Sequence, residues 1–324
     1  MHIYFTALKA TDKNNPPVKT YGWQDGALTK KLAYMASQYS VAGSHVQTMA
    51  EFRDALERVT CEEAFLYGMP KDKTLHNGTF LIVPEYQFEE IRTALEGRWT
   101  AVTRTKAEFA FASQPGIMLI DVDGIVGNHD AQIQKIYEVA PELKDYPHVV
   151  QPSSSSNLRK PDGSELSGVK GLHLYWFVDD ATRIKEYGHV LFDRLTLAGH
   201  SHVKISASGS MLERSVVDAA VWQGERLDFV GGAALRDGLT YSDRTPELRG
   251  ERQDGVQIVP GSVFKPLTPA ERKAVDKFWT EEKTRLKREQ RRVEEVSMAA
   301  RSIRSRPCRL SCWATRLPPP ERWR

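Results

Sequence analysis

Two aspartates one residue apart follow four apolar positions in "GIMLIDVDGIVGNHD" (116–130). Ile117 to Ile120 read as a short buried strand. Side chains alternate along a strand, so Asp121 and Asp123 leave on one face at its C-terminal end. Carboxylates held that close repel unless a cation lies between them, and the pair points to a metal site more than to a helix cap. Downstream, His173 opens the apolar run "GLHLYWFV" directly after a loop rich in serine and glycine. Ser167, Gly168, Lys170 and Gly171 in that loop are residue types that bind phosphate, offering a hydroxyl, unobstructed backbone N–H groups and a cation. A further carboxylate, Asp218 in "RSVVDAAVW", closes another apolar run, and Asp228 in "RLDFVGG" competes for the same role. Asp218 is preferred. Its neighbours Val216, Val217, Ala219, Ala220 and Val221 predict burial, and a buried carboxylate needs a partner or a cation. Asp228 has Arg214 and Arg226 at hand as salt-bridge partners. An Asp-x-Asp pair, a histidine and a third aspartate are the inventory for two-metal phosphoryl transfer.

These residues need a frame that brings them together. "HIYFTAL", "EAFLYGM" and "TFLIVPEY" read as strands; "LTKKLAYMASQYS", "MAEFRDALERV" and "QFEEIRTALEG" have helical spacing. "KAEFAFA" stands close enough to the Asp-x-Asp strand to pair with it. Asn128 caps a helix running to about Ala140, which leaves His129 facing solvent in its first turn. "HVVQPSS" and "GLHLYWFV" are expected strands, and Asp180 caps a helix with Ile184, Tyr187, Leu191 and Leu195 on its apolar face and Gly199 as its stop. "HVKISAS", "SVVDAAVW" and "RLDFVGG" are expected to complete the sheet region. Thr268-Pro269-Ala270-Glu271 is a capping box with proline at the first helical position, opening a long charged helix. The expected fold class is mixed α+β (α/β), with a catalytic domain over 1–255 and a charged helical extension over 256–302. The Arg-rich tail, 303–324, shows no periodicity and is expected to be disordered.

The order "LIDVD", then "SGVKGLH", then "SVVD" resembles the archaeo-eukaryotic primase (primase-polymerase) superfamily, in particular primases of plasmids and integrative elements. The resemblance spans roughly the first 240 residues and does not extend to the tail. It implies an α/β catalytic core with an RRM-like half and a site in the cleft between two units. It implies that Asp121, Asp123 and Asp218 ligate Mg²⁺ or Mn²⁺ and that His173 contacts the phosphates of an incoming NTP or dNTP, with single-stranded DNA as template. Arg104 and Lys106 in "TRTKAEF" are candidates for nucleotide or template phosphates, beside the plainer reading of a basic surface strand; the same holds for Arg214 and Arg226. Many relatives of this kind continue into a helicase. No GxxxxGK[ST] loop occurs in this sequence, so a replicative helicase would be a separate partner.

Bulk properties narrow the alternatives. With 324 residues and 40% apolar content the chain can bury one large or two ordinary domains. A net charge of +3, with the basic excess concentrated after residue 280, permits a nucleic-acid partner without requiring one. No apolar run reaches the ~20 residues of a membrane span, and a cytoplasmic location is expected. Three cysteines form neither a disulfide framework nor a four-cysteine zinc site. The principal rival is a haloacid dehalogenase-like phosphatase, since "LIDVDG" resembles its nucleophile motif and Lys170 and Asp179-Asp180 could supply the rest. A crossover helix must separate lysine from acidic pair in that fold, and no residues are left for one here. A third reading is a non-catalytic nucleic-acid-binding module built on the C-terminal helix. In "EEKTRLKREQRRVEE", however, acids interleave with bases, the pattern of a solvated helix with i,i+4 pairs.

Overall fold

The computed structural model describes residues 1–12, 14, 16–31, 39–76, 78–124, 128–206 and 208–304, with 291–304 described as helix without their side chains. The described residues form a mixed α and β structure with two five-stranded sheets, several two- and three-stranded ones and five α-helices. None of these helices is long and apolar enough to cross a membrane.

The first sheet runs Glu63–Leu66, Ile3–Ala10, Tyr39–Val46, Thr79–Val83, Ala101–Thr103, antiparallel except for the last pair. The second runs Gly116–Asp123, Gly171–Val178, His148–Pro152, Glu247–Arg249, all antiparallel, with Ile258–Val259 added parallel to the end of the central strand. Alternation then assigns the faces of the second sheet. Ile117, Leu119, Val149, Tyr175 and Phe177 share a core with Ile3, Phe5, Phe52, Phe65 and Tyr67 of the N-terminal half. Phe52, from the helix Met49–Arg58, lies edge-on to Tyr175 with ring centroids 5.3 Å apart. The opposite face carries Met118, Ile120, Val122, Leu174 and Trp176, all buried. On that side the Trp176 indole donates to the Leu143 carbonyl at 3.0 Å. The helices His129–Val139 and Ile184–Leu197 pack on one another, burying Ile133, Ile136, Ile184, Tyr187, Leu191 and Leu195. Two buried faces explain why the sequence of the central strand is apolar nearly throughout.

Most expected elements are present. Asn128 caps its helix by accepting from the Asp130 N–H, Asp180 accepts from Thr182 N–H, and Gly199 ends the following helix with a φ of +80°. Thr268 and Glu271 form the reciprocal capping box, opening the helix Pro269–Arg304. Four expectations are corrected. In "LTKKLAYMASQYS" (28–40) residues 28–31 and 39–40 are not helical: Ala27–Lys31 is an edge strand on Thr20–Gln24, Tyr39 and Ser40 open the strand Tyr39–Val46, and 32–38 lie outside the described residues. Phe109–Ala110 pairs with Met69–Pro70 and not with the carboxylate strand. "SVVDAAVW" is no strand; Asp218 caps a short 3-10 turn, Ala219–Val221. In "RLDFVGG" the ladder shrinks to one bridge, Phe65 with Asp228. Both of these segments serve as straps across existing strands, so their backbone hydrogen bonds are met without a new ladder.

Residues 1–276 form one compact unit, which includes the expected boundary at 255. Ile258–Val259 belongs to the second sheet, and the Gly261 N–H donates to Asp179 at 2.7 Å. The second unit begins at Lys277. Its helical part shows the expected solvated pairing, with Lys277–Glu281 and Arg285–Glu289 at i,i+4 spacing. Of the expected tail, residues 305–324 lie outside those described.

One buried polar group in the second sheet makes the fold pH-sensitive. The His148 ring is 1% exposed and stacks on Trp176 with centroids 4.7 Å apart. Nδ1 lies 2.8 Å from the Tyr146 carbonyl and Nε2 2.7 Å from the Tyr137 hydroxyl. The neutral ring satisfies both, donating from Nδ1 and accepting at Nε2. Burial, with Arg249 nearby, pushes its pKa down to about 4. A folded pKa below the unfolded value means that the unfolded chain binds the extra proton, so this contribution is complete above about pH 6.5 and is lost as pH falls toward 4. Relative to pH 7.5, the expected loss at pH 5 is about 2 kcal/mol. Urea unfolding of the wild type and His148→Asn at both pH values checks this: the variant should lack that increment of pH dependence.

Candidate functional site

The register of two neighbouring strands builds the site. Asp121 pairs across from His173, and His173 in turn faces Gln151 on the third strand. The three side chains thus form one row across the sheet, on the face turned toward the N-terminal half. Asp123 lies one step further along the same face, opposite Gly171. A Cβ on Gly171 would sit 2.9 Å from Ser153 Oγ and 3.2 Å from Asp123 Oδ1, so this close approach requires glycine.

The strand Gly116–Asp123 is at the sheet's edge, and the Asp218 segment closes over it. The Asp218 N–H donates to the Asp121 carbonyl at 2.8 Å, and the Trp222 indole donates to the Leu119 carbonyl at 3.0 Å. Trp222 is anchored from behind by a helix position with no side chain: a Cβ on Gly188 would lie 2.2 Å from the indole ring. As a result one ligand atom each from Asp121, Asp123 and Asp218 lie within 4.8 Å of one another. Oδ1 of Asp121 is buried and accepts no hydrogen bond; His173 Nε2 stands 3.6 Å away. Burial first, then the neighbouring carboxylates of Asp123, Asp228 and Asp218, push the Asp121 pKa up to about 6, against the opposing pull of His173. An oxygen-only donor set with an orphaned buried oxygen fits a hard divalent cation such as Mg²⁺ or Mn²⁺.

His173 has a carboxylate on each side. Nδ1 lies 3.0 Å from Asp228 Oδ1, opposite the Nε2 contact with Asp121. Burial disfavours the imidazolium, but Asp228 and Asp121 outweigh it and raise its pKa to about 9. The second Asp228 oxygen accepts from the Tyr67 hydroxyl at 2.6 Å and the Tyr175 hydroxyl at 2.8 Å. His173 and these hydrogen bonds hold the Asp228 carboxyl below its ordinary range although burial alone would raise it. Both tyrosine hydroxyls, buried beside that carboxylate, stay protonated far above neutral pH.

The structure brings Asp218, not Asp228, into the acidic cluster, and for a reason opposite to the sequence expectation. Asp218 is the more open of the two, with its side chain 24% exposed and Arg214 Nη1 at 3.4 Å. Asp228 is the buried one, and its partners are a histidine and two tyrosines in place of the expected arginines. The serine-rich loop is largely occupied with itself. The Ser167 hydroxyl donates to the Ser155 carbonyl and accepts from Leu158 N–H, while the backbone N–H groups of Lys170 and Gly171 both donate to Ser156 Oγ. The Lys170 side chain is exposed. Arg104 donates to the Glu225 carbonyl at 2.6 Å, and Lys106 lies 4.0 Å from the Glu225 carboxylate. Arg226 is exposed, and His129 faces solvent beside Asp130. Sequence reasoning missed Tyr67, Tyr175 and Gln151. Tyr175 carried a usable signal, since two residues after His173 it must share its face; Tyr67 carried none. Comparison with protein families, curated proteins and solved structures finds no match to this chain.

The cluster sets two expectations for the metal-free and metal-loaded protein. Asp123→Asn and Asp218→Asn should each weaken Mn²⁺ binding tenfold or more without unfolding the chain, read by calorimetric titration and far-UV circular dichroism. Without metal, Asp121→Asn should raise stability at pH 7 by about 1–2 kcal/mol. A carboxyl whose folded pKa is raised destabilises above that pKa, so the gain should fade as pH drops from 6 to below 4; denaturant curves across this range check the sign.

Proposed function

We propose that the chain is a nucleotidyltransferase of the primase-polymerase kind, extending short primers from NTP or dNTP on a single-stranded DNA template during replication of a plasmid or integrative element. One observation carries this reading: carboxylates from two distant segments, Asp121 and Asp123 with Asp218, converge within 4.8 Å beside the His173 imidazole. When bound there, Mg²⁺ or Mn²⁺ would polarise a phosphoryl group and hold attacking and leaving oxygens in line. The residues of the chain then divide the work. The three aspartates supply the anionic oxygens. His173, protonated and fixed on its Nδ1 side, offers Nε2–H to a phosphate oxygen. Lys170, exposed one residue before Gly171, supplies a mobile cation at the same rim. A replicative helicase would act as a separate partner.

The phosphatase reading is weaker on this geometry. Its nucleophile strand belongs to a parallel sheet with helical crossovers, whereas the strand bearing Asp121 pairs antiparallel with the one bearing His173. Asp179, needed there as a metal ligand, is committed to the Tyr187 hydroxyl and the Gly261 N–H. A pure nucleic-acid-binding module gains nothing from clustered carboxylates next to a polyanion.

The full chain offered single-stranded DNA, labelled nucleotides and Mg²⁺ or Mn²⁺ should form short labelled oligomers. No oligomer together with metal-dependent hydrolysis of a phosphomonoester would replace this reading with the phosphatase. Asp121→Asn and Asp123→Asn should each abolish product in a folded protein. His173→Ala should raise the apparent KM for nucleotide tenfold or more while leaving Mn²⁺ affinity near wild type; loss of metal with nucleotide binding intact would reverse the assigned role.

A further inference from the structure

Asp228 lies outside the acidic cluster, yet it is more completely buried than any member of it, at 2% exposure. A buried carboxylate is retained only where its charge and lone pairs are met. Here the charge is met by an ion pair with His173, Oδ1 facing Nδ1 at 3.0 Å, and Oδ2 by two tyrosine hydroxyls, while Oδ1 accepts no hydrogen bond. The backbone of Asp228 is fixed as well, exchanging both hydrogen bonds with Phe65 (2.8 and 3.0 Å) at the edge of the first sheet. Tyr67 comes from the N-terminal half and Tyr175 from the histidine's own strand, so the anchor is tied to both sheets.

We infer that Asp228 is a positioning residue, which holds the His173 imidazole with Nδ1 bound behind it and Nε2 presented toward Asp121. An imidazole ring has two broad orientations about its outer torsion, and a fixed acceptor at Nδ1 selects one of them. The Tyr67 and Tyr175 hydroxyls in turn hold the other carboxylate oxygen, and the Tyr175 hydroxyl also lies 3.2 Å from His173 Nδ1. The His173 Nε2 is thereby aimed at the cluster before any ligand arrives, which lowers the ordering cost of binding. This inference rests on the nucleotide-binding role proposed for His173.

The test uses the full chain labelled with ¹⁵N-histidine, in the wild type, Asp228→Asn, Tyr67→Phe and His173→Gln. A carboxylate-bound Nδ1–H should give an exchange-protected, far-downfield proton resonance coupled to ¹⁵Nδ1, assigned by its absence in His173→Gln. Asp228→Asn should move or lose that resonance, and should weaken Mn²⁺-dependent binding of ATP by about tenfold or more while Mn²⁺ alone still binds. Tyr67→Phe, which leaves both charged partners and the Tyr175 contact with Nδ1 in place, should broaden or shift the same resonance and weaken ATP binding by a smaller factor. An unchanged resonance in Asp228→Asn and Tyr67→Phe overturns the inference, as does wild-type ATP affinity in Asp228→Asn alongside a weakened His173→Gln. Should wild type bind no nucleotide, the function proposed above falls, and the response of the resonance alone still decides whether Asp228 positions the ring.

Discussion

Everything at this site depends on the register between the strands Gly116–Asp123 and Gly171–Val178. Eight consecutive pairs lock it, from Gly116 with Val178 to Asp123 with Gly171. A slip by one residue would turn Asp121 and Asp123 to the face now filled by Met118, Ile120 and Val122, placing two charges in a fully apolar layer. The apolar residues on both faces therefore enforce the position of the polar ones. Gly171 adds a steric constraint at the strand end, since any side chain there would press on Ser153 and Asp123.

Electrostatics supplies the opposing demand. Four carboxylates, Asp121, Asp123, Asp218 and Asp228, gather around one imidazole, and a buried Asp121 oxygen has no hydrogen-bond donor. Packing elsewhere must sustain that arrangement. The strap from Asp218 to Trp222 fastens the edge strand through two main-chain carbonyls, and the Gly188 helix position seats its indole. The aromatic layer of Phe5, Phe52, Phe65, Tyr67 and Tyr175 presses the two sheets together beneath the row. Burial of each large aromatic side chain contributes about 1.5–3 kcal/mol, enough for a handful of them to offset the strain of clustered like charge.

The same geometry gives different settings to acids that look alike along the chain. Asp218 is partly exposed and turned to the cluster with Asp121 and Asp123. Asp228 is buried, with Oδ2 held by two tyrosine hydroxyls and Oδ1 ion-paired with His173. Burial and the kind of partner distinguish the two where hydrophobic context does not.

Local chemistry alone determined several features of this protein. Alternation places Asp121 and Asp123 on one face, and apolar runs locate the two central strands. Capping residues at Asn128, Asp180 and Thr268 start their helices because a side-chain oxygen satisfies an N–H group within three residues. Each of these needs only neighbours in the chain. Tertiary structure decided the rest. The segments "SVVDAAVW" and "RLDFVGG" are apolar enough for strands, but the neighbouring strand and sheet edges take only a strap and a bridge. Residues 28–31 belong to a segment with helical spacing yet pair as an edge strand. The serine loop has the composition of a phosphate cradle, while its hydroxyls close on its own backbone. Tyr67 and Asp228 meet only because the edge of the first sheet grips the chain at Phe65. Contacts between residues more than a hundred positions apart leave no periodic trace in sequence, since they are set by which surfaces remain free once the local elements have packed.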